Sequence, residues 1–170
     1  MIKINLYLAI ALVGLFAVVL PIVLFFAIKK DKPRKIVFAV LLGVFLIVLG
    51  FGVFGNVTIG GGFVTLDLVA RGEWFNASSF IYYNFGLQNV CLNLFMFIPV
   101  GIACYVLLNR SLWKTILVSL ALSVLIEFGQ FSLPVARTVE LTDLVYNTLS
   151  GMIGFAFVWV FDLIKRKISK

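Results

Sequence analysis

Five apolar runs, each long enough to cross a bilayer, take up most of this chain and leave little from which to build a water-soluble domain. They are Ile4–Ile28, Ile36–Phe54, Val90–Leu108, Thr115–Leu133 and Leu144–Ile164. A helix of about 20 residues, rising about 1.5 Å per residue, covers the roughly 30 Å of hydrocarbon. Hydrophobic residues make up 63% of the sequence, charged residues 12%, and mean hydropathy is +1.17. No soluble domain of 170 residues has enough interior to hide that much apolar surface. The expectation is an all-α integral membrane protein, a single polytopic domain over residues 1–170 with about five transmembrane helices. The first run is too long for a signal-peptide core and lacks a small-residue cleavage site, so it reads as a retained helix. Pro21 and Pro99 lie inside runs and predict kinks.

The basic residues orient these spans. Lys29, Lys30, Lys32, Arg34 and Lys35 follow the first, Arg110 and Lys114 follow the third, and Lys165, Arg166, Lys167 and Lys170 follow the fifth. That puts eleven of the fourteen basic residues on one side and leaves Lys3, Arg71 and Arg137 on the other. The N-terminus is expected outside and the C-terminus in the cytoplasm. This bias, with anionic lipid on the inner leaflet, accounts for the net charge of +7, and nucleic acid need not be invoked.

Polarity inside the spans is concentrated in one place. Glu127 and Gln130 lie in the fourth run, Arg137 in the short loop after it, and Asp143 and Asn147 at the start of the fifth. An ionisable group at the bilayer centre costs roughly 2.5–3.5 kcal/mol on insertion scales, so such residues mark a site or lock helices together. Glu127 stands seven residues before Pro134, about 10 Å below the outer end of its helix. Asn93 of the third span and Asn147 of the fifth lie at similar depths, so three helices converge on the outer third of the bilayer. Asp143, Asn147, Gly151 and Gly154 fall within an arc of about 80° at 100° per residue. Gly101, Gly151 and Gly154 read as helix-packing positions, where small residues allow close approach. Asn93 and Asn147 serve equally well as interhelical hydrogen-bond donors.

Asn93-Leu94-Phe95-Met96-Phe97-Ile98-Pro99-Val100-Gly101 resembles the N-x-L-x-F-I-P-x-G segment of the VanZ-like family. Glu127-x-x-Gln130, Arg137 and Asp143-x-x-x-Asn147-x-x-x-Gly151-x-x-Gly154 resemble that family's second block, and the likeness covers about residues 89–161. The family's N-x-x-P-F segment is not matched, because Asn56 is followed by Val57, Thr58, Ile59 and three glycines. The resemblance implies a multi-pass protein of the bacterial cytoplasmic membrane, linked through the family's namesake to resistance to the lipoglycopeptide teicoplanin. It carries the motif roles onto Asn93, Glu127, Gln130, Arg137, Asp143 and Asn147, the residues that depth in the bilayer also singles out.

The loop Gly55–Gln88 offers a glycine break at Gly60–Gly62, then Phe63–Val69, whose partial alternation fits a short strand or an interfacial helix. Its aromatic residues Trp74, Phe75, Phe80, Tyr82 and Tyr83 suit a lid over the polar cluster or an interfacial anchor. The sequence has no histidine, which removes the commonest general base and metal ligand. Cys91 and Cys104 stand about 20 Å apart along one helix and read as small apolar residues; no metal or cofactor is expected.

The residues suit binding of an amphiphile, either a lipid-linked envelope precursor or a lipoglycopeptide. Arg137, Asp143 and Asn147 would grip the polar head, with Glu127 and Gln130 as the floor. The alternative is an enzyme acting on a lipid head group, with Glu127 and Asp143 as acid and base and water, Ser132, Thr138, Thr142 or the substrate as nucleophile. A transporter or a structural subunit, alone or as an oligomer, is a further reading. Transport alone is disfavoured by inner membrane halves whose polarity comes down to Ser119, Ser123 and a few small residues.

Overall fold

The computed structural model describes residues 2–5, 19–54, 56–60, 63–67, 87–133 and 139–168. The apolar body is helical: α1 (Leu20–Ala27), α2 (Asp31–Phe54), α3 (Leu87–Met96), α4 (Ile98–Leu107), α5 (Leu112–Ser132) and α6 (Leu141–Ile168). Helices α2, α5 and α6 are long and apolar enough to span a membrane and coincide with the second, fourth and fifth expected spans. The third span is divided: α3 stops at Met96, Phe97 turns with φ −100° and ψ 4°, and α4 restarts with Pro99 in its first turn. Pro99 suits the start of a helix, where its missing N–H would have no helical acceptor, and inside a continuous helix its ring would clash with the preceding turn. At the break, Ser150 Oγ of α6 accepts the Phe97 N–H at 2.9 Å. Of the first span, α1 is described, whereas residues 6–18 lie outside the described residues.

A three-stranded antiparallel sheet adds to the helical body. It has the order β1 (Ile2–Asn5), β3 (Phe63–Asp67), β2 (Asn56–Gly60), with Ile2 opposite Leu66 and Thr58 opposite Thr65. Ile4 and Asn5 therefore belong to a strand and not to the first helix. Phe63–Asp67 resolves to the strand alternative, and Asn56–Gly60, a run with Val, Thr and Ile in succession, pairs with it. The remainder of the expected lid, residues 68–86, lies outside the described residues.

α6 is the central element, packed against α3, α4 and α5, while α2 lies on α4 and α5. Close approach is built on glycine. A Cβ at Gly101 would fall on the Gly151 carbonyl, one at Gly151 on Ser119 Oγ, and one at Gly154 on the Ile98 carbonyl. The buried faces are also unusually polar. α5 turns Thr115, Ser119, Ser123, Glu127 and Gln130 inward and exposes Leu117, Leu120, Val124, Leu125 and Phe128. In water that arrangement would be inverted; against hydrocarbon it is the stable one, because lipid already solvates leucine and polar groups need partners.

The three basic segments meet at one end. Arg34 donates to the Ile28 carbonyl at 2.6 and 2.8 Å and closes the corner between α1 and α2. Lys35 donates to Asn109 Oδ1 at 2.7 Å across to the α4–α5 turn, where Asn109 and Arg110 are left-handed with φ 54° and 62°. Buried Asp162 accepts from Tyr105 Oη at 2.7 Å and pairs with Arg166 at 2.9 Å and Arg110 at 3.4 Å. α2 leads from this end to the sheet.

Replacing Gly154 by Ala should therefore force α6 away from α4 and cost about 1–3 kcal/mol. Thermal unfolding in detergent should show a lowered midpoint for Gly154→Ala and an unchanged one for Gly43→Ala, whose added Cβ meets nothing within 4 Å.

Candidate functional site

At the end opposite the basic segments, the fold draws polar groups from three helices into one network. Asp143 occupies the first turn of α6, where the helix N-terminus favours a carboxylate. Its Oδ1 accepts from Asn93 Nδ2 of α3 at 2.5 Å. Its backbone carbonyl accepts from Ser123 Oγ of α5 at 3.4 Å, and Ser123 Oγ in turn accepts from Asn147 Nδ2 at 2.9 Å. Glu127, one turn along α5 from Ser123, takes the Glu140 N–H on Oε2 at 2.8 Å and so fastens the start of α6 to α5. Gln130 is buried on the same face.

The antiparallel pairing of α5 and α6 sets the order of depth. Four residues back along α5 from Glu127 to Ser123 correspond to the passage along α6 from Glu140 to Asn147. Glu127 thus reaches the rim element, and fully buried Asn147 lies deeper, on Ser123. The order of depth differs from that in the sequence-based assignment, in which Glu127 and Gln130 lay on the floor below Asn147. That assignment rested on distance from helix ends and took no account of which side chains face each other.

The expected residues Asn93, Glu127, Asp143 and Asn147 are joined by these bonds, and Gln130 lies beside them. Arg137 lies outside the described residues. Gly101, Gly151 and Gly154 are at the helix contacts and not in the network. Three participants were missed. Ser123 links Asp143 to Asn147, Ser150 holds the broken third span, and Glu140 supplies the N–H for Glu127. The four-residue repeat Thr115-Ser119-Ser123-Glu127 could have revealed the first, since it puts every hydroxyl on the glutamate's face.

Two carboxylates held as hydrogen-bond acceptors beside a deep amide make the cluster rich in acceptor capacity. Asn147 Oδ1 and Ser119 Oγ are buried and take no hydrogen bond among the described residues, each at a desolvation cost of about 1–3 kcal/mol. The arrangement suits a ligand that donates, such as hydroxyls or an ammonium.

Helices long and apolar enough to span a bilayer, with polarity turned inward to such a cluster, define a helical membrane protein. The chain matches the VanZ/LLP1 family over residues 36–162 and belongs to that family. The match takes in α2 and so reaches further than the motif-bearing stretch from Asn89 to Phe161. Neither a curated protein nor a solved structure matches the chain.

The Asn93–Asp143 pair should be energetically coupled. A double-mutant cycle with Asn93→Ala and Asp143→Ala is expected to give about 1–2 kcal/mol of interaction in detergent unfolding. The cycle pairing Asn93→Ala with Asp162→Ala, at opposite ends of the molecule, should return a value near zero.

Proposed function

We propose that the chain is a multi-pass protein of the bacterial cytoplasmic membrane that binds the polar head of an amphiphile at the Asn93–Glu127–Asp143–Asn147 cluster and lowers susceptibility to teicoplanin-type lipoglycopeptides. The carrying observation is the cluster itself: buried carboxylate and amide groups from three helices, gathered at the end of the molecule remote from its basic segments. The positive-inside bias puts the basic end in the cytoplasm and therefore opens the cluster to the outer leaflet. Lipid-linked envelope precursors and lipoglycopeptides both present donor-rich heads on acyl or prenyl anchors there. The acceptor-rich carboxylates of Glu127 and Asp143 fit such heads. Family membership supports the link to glycopeptide resistance.

Both carboxylates take fixed donors, the Asn93 amide and the Glu140 N–H, and this favours binding over proton transfer. Arg137, on the same loop as Glu140, is assigned to an anionic group of the head.

The test is susceptibility of a sensitive bacterium expressing the wild type, Glu127→Gln or Arg137→Ala at matched membrane abundance. Protection against teicoplanin but not vancomycin, lost in both variants, is the expected outcome. Absence of protection by the wild type would overturn the proposal. A changed lipid species in the expressing cells would instead make the protein an enzyme acting on a lipid head group.

A further inference from the structure

The basic end carries a second site, separate from the carboxylate cluster and independent of the role proposed for it. A cavity of about 640 Å³ lies along α6 beside the α4–α5 turn, within the range of about 300–1,000 Å³ typical of ligand pockets. Leu112, Leu149, Ile153 and Trp159 form its walls, and Arg110 and Arg166 stand at one end with Asp162 between them. The walls are apolar side chains 41–48% exposed, so the groove opens on the face that meets lipid. The two guanidiniums are also about half exposed, at 46% and 52%.

The charge balance at that end is unequal. Asp162 Oδ2 already serves Tyr105, Arg110 and Arg166, so one carboxylate is shared by two guanidiniums and a phenol. One positive charge is left over. Each guanidinium has five N–H donors in a planar fork, and one contact to Asp162 occupies only part of it. That fork matches the oxygens of a phosphate, and the apolar groove beside it runs in the direction of the acyl chains.

We propose that this groove binds an anionic glycerophospholipid of the leaflet at the basic end, with its phosphate on Arg110 and Arg166 and an acyl chain along Leu149, Ile153 and Trp159. A zwitterionic lipid would bring its own ammonium against the same guanidiniums and lose the advantage. Asp162 fixes the two arginines and, through Tyr105, ties the lipid site to the core of the bundle. Tyr105 is itself buried between Phe25 and Phe155, with ring centroids at 5.9 and 5.1 Å.

Trp159 provides the readout. The full chain carrying Trp74→Phe and Trp113→Phe is placed in phosphatidylcholine vesicles containing a minor fraction of bromine-labelled phosphatidylglycerol or bromine-labelled phosphatidylcholine. One uncompensated cation predicts about fivefold preferential access of the anionic quencher to Trp159. In the companion protein that keeps Trp113, which is 67% exposed on α5 and is not among the residues lining the groove, the preference should be smaller than at Trp159. Arg110→Gln with Arg166→Gln should abolish the preference. Ala156→Phe, which fills the groove and leaves the ion cluster intact, should reduce it as well and guards against misfolding of the arginine variant. Equal quenching of Trp159 by the two lipids, or a preference that survives both sets of substitutions, would overturn the proposal.

Discussion

Everything in this bundle hangs on the polar, small-residue face of α6. In a membrane, burying leucine against leucine yields little, because acyl chains are as apolar as the helix they surround. Association has to come from close backbone approach and from hydrogen bonds. α6 supplies both along one stripe: Asp143, Asn147, Ser150, Gly151 and Gly154. Gly151 and Gly154 bring α5 and α4 to contact distance, and Ser150 Oγ accepts the Phe97 N–H at the break in the third span. The cluster residues sit on the same stripe, so the geometry of the site is a consequence of the packing that holds the bundle together.

The same helix also joins two chemically opposite ends. Its first turn carries Asp143 beside Glu127, and its last turns carry Asp162 among arginines. At one end carboxylates receive neutral donors, an amide and a backbone N–H; at the other a carboxylate is outnumbered by guanidiniums. The first arrangement is suited to a donor-rich head group and the second to an anion. A bilayer whose two leaflets differ in composition is the setting in which such a division is useful. The excess of basic residues at one end supports the proposed orientation in it.

Much of this was legible in the sequence, for physical reasons that can be located. An acid in an apolar run is costly wherever the run folds, so Glu127 and Asp143 stood out before any contact was known. Helical period then aligned Asn147 with Gly151 and Gly154. The partners were harder to see because serine is small, common and tolerated in membrane helices; nothing about Ser123 alone distinguishes a network member from a filler. Asp162 lies at the end of a span close to Lys165 and Arg166, and the sequence alone drew no attention to it. Its bonds to Tyr105 and Arg110 join residues more than fifty positions apart and follow only from the tertiary fold. Of the sheet only β3 was anticipated, as one alternative: β1 pairs with it across about sixty residues, and the alternation of Ile2-Lys3-Ile4-Asn5 is too short to carry a periodic signal of its own.

The hydroxyls of α5 decide how the middle of the bundle should be understood. Thr115, Ser119 and Ser123 run inward from Glu127 at four-residue steps, a spacing that would also suit the lining of a polar path. Each is fully buried, however. Ser119 is pressed so closely on Gly151 that a methyl group would not fit between them, and Ser123 is occupied by Asn147 and the Asp143 carbonyl. Thr115 returns its hydroxyl to the Ser111 carbonyl at 3.0 Å. Ser119 by close packing and Ser123 by its hydrogen bonds seal α5 to α6, and a hydrophilic solute would have to break that seam to pass along it. The carboxylate cluster therefore ends in a closed floor at Asn147, which supports the proposed binding from one side over passage through the bundle.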